Sequence, residues 1–96
     1  MDTNLEITEV PAQADTTILR LKRPLVIQNV FPFHSKVRGV HSPHLVLDMT
    51  AVPYIDSSAV GVLVGAHVNR DKEGRFLLLV GVSDRVRNIL KVTHME

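Results

Sequence analysis

Two short apolar runs, Leu45 to Met49 and Phe76 to Val80, constrain this chain more than any other feature. Each has the length of a strand, and the segment between them holds one helix with its turns. Strand, helix and strand at this spacing predict a βαβ unit with two parallel strands and a right-handed crossover. Runs this continuously apolar are expected where a parallel sheet is covered on both faces. The predicted helix runs from Ser58 to about Lys72, and Asn69 to Gly74 closes it with charge and a glycine. Val60, Leu63, Val64, His67 and Val68 lie at core-facing spacing, but Ala59, Val62 and Ala66 leave the other face hardly polar. Either both faces are buried, or the first two turns carry an exposed apolar contact surface.

The rest of the chain reads around that unit. Leu5, Ile7 and Val10 alternate with polar residues up to Pro11, and Thr16 to Leu21 forms a second strand after a polar turn. The two are expected to pair as an antiparallel hairpin at a sheet edge, with Leu25 to Val30 continuing as extended chain. Phe31-Pro32-Phe33 opens a short helix, roughly Phe33 to Gly39. Two phenylalanines around a proline read either as an exposed docking loop or as the packing of that helix onto the sheet. Ser83 caps a last helix with Val86, Ile89 and Leu90 inward and Arg85, Arg87 and Lys91 outward, the three cations forming a solvated face.

The turn before the long helix ends in Asp56, Ser57 and Ser58. Such residues cap helices, because their oxygens accept bonds from the unpaired amides of the first turn. The same helix end carries positive partial charge and free N–H groups, which favour an added phosphate. A capping box would place Glu or Gln three residues after the cap, and Val60 and Gly61 stand there instead. Cap and phosphorylation switch both remain open on the residues alone.

These residues also carry a resemblance. Asp56-Ser57-Ser58-Ala59-Val60-Gly61-Val62-Leu63, after the strand Leu45-Val46-Leu47-Asp48-Met49-Thr50-Ala51-Val52, closely resembles the STAS domain, typified by bacterial anti-sigma factor antagonists. Leu78 to Thr93 is similar to that family's next strand and helix. The resemblance implies an α/β, SpoIIAA-like single domain over residues 1–96, a mixed sheet with a parallel centre and an antiparallel N-terminal edge. It implies that Ser58, rather than Ser57, is the phosphorylated residue, with Ala59 replacing the family's usual glycine. It further implies that Asp56, Ser57, Ser58, Ala59, Val60, Val62 and Leu63 form the surface that binds an anti-sigma factor kinase of the histidine-kinase-like ATPase fold. Binding would free a sigma factor, phosphorylation would release the kinase, and a phosphatase would reset the switch. Two other roles occur in such domains: partner subunit of an ABC-type lipid transport ATPase, and scaffold subunit of a stress-sensing assembly. STAS domains usually continue with another strand and helix, so an abbreviated C-terminus here would leave sheet edge uncovered and favour a homodimer.

Composition narrows the remaining classes. Ninety-six residues, 45% hydrophobic and 22% charged, make one globular domain with a modest core. A net charge of +1 gives no electrostatic case for nucleic acid or an anionic membrane. The polar, acidic start Met1 to Glu6 is unlike a signal peptide, and the apolar runs are too short to span a bilayer, which predicts a soluble cytoplasmic protein. Without cysteine there is no thiolate zinc site or thiol nucleophile, and His34, His41, His44, His67 and His94 show no ligand spacing. His67 is expected half-buried on the long helix. Asp48 lacks the further acids of a phospho-aspartate receiver, and no Gly-x-Ser-x-Gly elbow, phosphate loop or dinucleotide fingerprint occurs. The chain is expected to be a cofactor-free interaction module and no enzyme.

Overall fold

Sheet order follows chain order. In the computed structural model, which describes residues 4–92 (side chains of residues 91 and 92 excepted), four strands lie side by side as β1-β2-β3-β4. They are β1 (Glu6–Val10), β2 (Thr16–Lys22), β3 (His44–Ala51) and β4 (Phe76–Val80), with helices α1 (Val30–Arg38), α2 (Ser57–Lys72) and α3 (Asp84–Val92) between and after them. The hairpin partners β1 and β2 are antiparallel, and β2–β3 and β3–β4 are parallel. The mixed α/β architecture is therefore the expected one. Strand registers place Leu19 beside Leu47 and Leu47 beside Leu79, so one face of the sheet is a leucine floor. Phe33 and Val37 of α1, Val60, Leu63 and Ala66 of α2, and Val86 and Leu90 of α3 all join the core on that floor.

The opposite face is where expectation and structure part. On β4, Leu77 and Leu79 pack against the core, whereas Phe76, Leu78 and Val80 are exposed. Among the described residues the helices cover a single face, so the continuous apolar run of β4 does not record two covered faces.

Helix α1 starts at Val30, earlier than the expected Phe33. Pro32 falls within the first turn, where a missing N–H costs no intrahelical bond. The connector before it is not extended throughout. Leu25 makes one parallel bridge to Ile55, and buried Asn29 then ties a turn, accepting from the Val26 amide and donating to the Pro24 carbonyl. Of the two phenylalanines flanking Pro32, Phe33 is fully buried and Phe31 is 66% exposed. Phe33 therefore packs α1 onto the sheet, while Phe31 stands exposed in the first turn of the helix.

In α2 the buried stripe is Ala59, Val60, Leu63, Ala66 and Arg70, while His67 and Val68 are exposed. The core-facing side is rotated relative to the expected one, because Ala66 and Arg70 extend the row set by Ala59 and Leu63. Gly74, at φ +72, ends the helix in the left-handed conformation that glycine adopts without cost. Gly81 after β4 is also left-handed (φ +68), and a Cβ there would overlap the Thr50 side chain. The Ser83 hydroxyl accepts from the Val86 amide at 3.2 Å and caps α3 as expected.

Candidate functional site

The β3–α2 turn is fastened at three points before its serines appear. Leu25 donates to the Tyr54 carbonyl and accepts from the Asp56 amide, both at 3.3 Å, which pins the turn to the β2–α1 connector. Asp56 then takes an extended conformation (φ −107, ψ −178) suited to an N-cap. Its Oδ1 accepts from the Ala59 amide at 3.0 Å, and its Oδ2 accepts from the Ile27 amide at 2.9 Å. The Val60 amide closes the first helical bond onto the Asp56 carbonyl at 3.1 Å. One carboxylate therefore caps the helix and holds the connector against it.

Because Asp56 is the cap, the serines are not. Among the described residues neither the Ser57 nor the Ser58 hydroxyl has a hydrogen-bond partner; Ser57 is exposed and Ser58 half-buried. The first turn contains no acidic residue. Two free hydroxyls thus stand at the positive end of a sixteen-residue helix.

The structure divides the residues expected at this surface. Ser57 is exposed, and Asp56, Ser58 and Val62 are half-buried beside exposed Gly61. Ala59, Val60 and Leu63, in contrast, are buried in the core. Their side chains support the surface from beneath instead of lining it, because the same helix face must cover the leucine floor.

Other residues reach the same end of the sheet. Ile27, whose amide is bound by Asp56, is 47% exposed. Its connector leads into the first turn of α1 and to exposed Phe31. Arg85 of α3 lies with its guanidinium carbon 5.1 Å from the centre of the Tyr54 ring, adding a cation over the turn. Phe31 was marked in the sequence by its pairing around Pro32. Nothing in the sequence marked Ile27 or the Arg85–Tyr54 contact, since both depend on how separate elements meet.

Asp48, within β3, has a structural setting. It accepts from the Thr50 hydroxyl at 2.6 Å and the Thr50 amide at 3.0 Å, and from Arg20 Nε at 3.2 Å. The Thr50 bonds, with a smaller contribution from Arg20, hold its carboxyl below the ordinary carboxylate value.

Comparison with known proteins agrees with this architecture. The STAS domain model matches residues 8–96. Over 50 residues the chain is 39% identical to the anti-sigma-B factor antagonist of Listeria monocytogenes, a match covering 52% of this chain. It spans 44% of that relative's length. A Thermotoga maritima crystal structure described as a candidate anti-sigma factor antagonist is 26% identical, with a TM-score of 0.79 over 95% of this chain and 79% of that one. Phosphorylated SpoIIAA, the Bacillus cell fate determinant, is 16% identical with a TM-score of 0.78 over 94% of this chain and 85% of that one, a likeness of fold alone. With the family model matched from β1 to beyond α3 and the fold shared, the chain belongs to the STAS domain family.

Proposed function

We propose that this protein is an anti-sigma factor antagonist, which binds an anti-sigma factor kinase through the N-terminal end of α2 and is released when Ser58 is phosphorylated. The observation that carries the reading is the division of labour between Asp56 and the serines. With Asp56 capping α2, the Ser58 hydroxyl has no structural bond to lose on modification. A phosphate there adds about −1.5 to −2 charges at pH 7. The helix end offsets about 0.3–1 kcal/mol of the repulsion from Asp56, so the domain stays folded. A partner packed over Ser57, Gly61, Val62, Ile27 and Phe31 meets that charge in a desolvated contact and is expelled. The names of the Listeria and Thermotoga relatives support the same role.

The test uses wild type, Ser58→Ala and Ser58→Glu as parallel baits in lysate of the native organism, followed by phosphosite mapping after incubation with ATP. The expected result is recovery of a serine-kinase-type anti-sigma factor by wild type and Ser58→Ala only, with phosphate on Ser58 of the wild type. Equal recovery by Ser58→Glu, or phosphate on neither serine, would overturn the proposal.

A further inference from the structure

A group of basic side chains gathers at the end of α2 remote from the serines. Between the C-terminal turns of α1 and α2 a cavity of about 390 Å³ opens, a volume that suits a small ligand. Every wall residue lies between His34 and Arg75, so the cavity owes nothing to the chain after α3. Buried Val37 and Ala66, with half-buried Val40, form an apolar floor. Around it stand Arg38, Arg70, Lys72 and Arg75, four of the eleven lysines and arginines of the chain, together with His34 and His41. One carboxylate, Glu73, faces them, and it is already paired with Arg75 at 3.7 Å. With both histidines neutral, the wall carries an excess of three positive charges in a chain whose net charge is +1.

Structural roles account for only part of this charge. Arg70 uses its donors on the carbonyls of Val40, Ser42 and Phe76, and so adds charge to the wall but no open donor. Arg38 and Lys72 lie in last turns, where a helix end favours cations. That preference does not reach Arg75, His34 or His41, which lie outside those turns. Among the described residues the side chains of His34, Arg38, His41 and Lys72 have no hydrogen-bond or ion-pair partner. Burial, and then the Arg75 charge, lowers the Arg70 pKa while Glu73 opposes them, so the cations repel one another across the cavity. Basic residues on a solvated face usually spread apart, whereas these converge from two helices and two connecting segments on one concavity.

We propose that this cavity binds a small multivalent anion of the polyphosphate or phosphate-ester class, held by Arg38, Lys72 and Arg75 above the apolar floor. Guanidinium groups offer paired N–H donors that match phosphate oxygens, and the lysine adds a point charge. His34 and His41 supply ring N–H donors on the α1 side. The excess of charge calls for several negative charges on one small body, because a monovalent anion leaves most of the repulsion in place. A phosphate ester lays its organic part on Val37, Val40 and Ala66. The site is independent of the switch, since Ser58 and Lys72 lie near opposite ends of α2, about 20 Å apart along its axis.

The test titrates the full chain with inorganic tripolyphosphate at about 0.15 M salt, where long-range charge effects are screened. Arg38→Gln and Lys72→Gln each remove one wall cation from an exposed side chain, and Lys22→Gln makes the same charge change on β2 as a control. The expected result is saturable binding, with inorganic monophosphate much weaker. Either wall variant should bind tripolyphosphate about five- to tenfold more weakly, and Lys22→Gln should bind it as wild type does. Absence of saturable binding, or an equal loss in all three variants, would overturn the proposal. Preference for a single-stranded oligonucleotide at equal phosphate concentration would do so as well. Should a wall variant misfold by circular dichroism, NMR of the wild type decides. Tripolyphosphate must shift the His34 and His41 ring signals, and shifts confined to the Ser57 and Ser58 amides refute the site by placing the anion at the other end of α2.

Discussion

Asp56 binds the Ile27 amide through Oδ2 at 2.9 Å while the same carboxylate caps α2 through Oδ1. The link joins residues from different connectors, one before α1 and one before α2. Alanine at position 56 removes both bonds and leaves two amides to find water. The expected loss is about 2–3 kcal/mol, a helix cap plus one charge-assisted bond. Asparagine keeps a single carbonyl oxygen and can serve only one amide, so its loss should be about half as large on the same reasoning. Urea unfolding of the two variants checks the order. Equal stability of Asp56→Asn and wild type would show that one of the two bonds contributes nothing.

Ser58 gives the opposite expectation. Its hydroxyl has no partner among the described residues, so Ser58→Ala should change stability by less than about 0.5 kcal/mol. A cap serine would lose about 1 kcal/mol in the same substitution. Thermal unfolding of Ser58→Ala therefore separates the two roles without any partner present. A loss near the larger figure would return Ser58 to a structural role and remove the main support for a switch.

What the sequence disclosed follows from which signals are local. The βαβ unit was legible because β3 and β4 are apolar runs with a helix of fitting length between them, and the hairpin because Pro11 and a polar turn divide two alternating segments. The capping choice at Asp56, Ser57 and Ser58 was not legible, since aspartate and serine cap about equally well. The Ile27 amide settled it, and that partner comes from another connector. The depth of Ala59 and Ala66 was misjudged for a similar reason, whereas Val60 and Leu63 are buried as their spacing implied. A helix apolar on all sides has no pattern that says which side meets the sheet, and its orientation is set by the leucine floor. Composition gave no hint that β4 would be open on one face, because a half-covered strand of leucines reads like a buried one.

Asp48 makes part of the stability pH-dependent. Bonds from the Thr50 hydroxyl and amide, and then Arg20, lower its pKa from the ordinary 3.8. A carboxyl lowered on folding contributes stability above its unfolded value and loses that contribution as pH falls through the folded value. Asp48→Asn should therefore be less stable than wild type at neutral pH, and the difference should shrink as pH falls below about 5. Urea midpoints of both proteins across that range check the prediction. A difference that stays constant with pH would mean that the carboxylate charge is irrelevant there.

Arg70 is the least expected residue of the core. It lies in a stretch read as the charged end of α2, yet it is only 4% exposed. Its guanidinium donates to three carbonyls, Phe76 through Nε at 3.1 Å, Val40 through Nη1 at 3.1 Å and Ser42 through Nη2 at 2.7 Å. These come from the start of β4 and from the connector between α1 and β3, so one side chain of α2 ties three segments together. Burial lowers its pKa, but an arginine starts so high that the charge survives. Arg70→Met keeps much of the aliphatic volume and leaves three carbonyls without their donor, which should cost roughly 2–4 kcal/mol. Arg70→Lys keeps the charge but not the planar fork, so it should recover only part of that loss. The amide of Phe76, which donates to the Pro43 carbonyl at 2.7 Å, should exchange faster in both variants as the start of β4 loosens. Full stability with lysine would show that charge alone suffices, and that the three-way geometry of the guanidinium does not hold β4 in register.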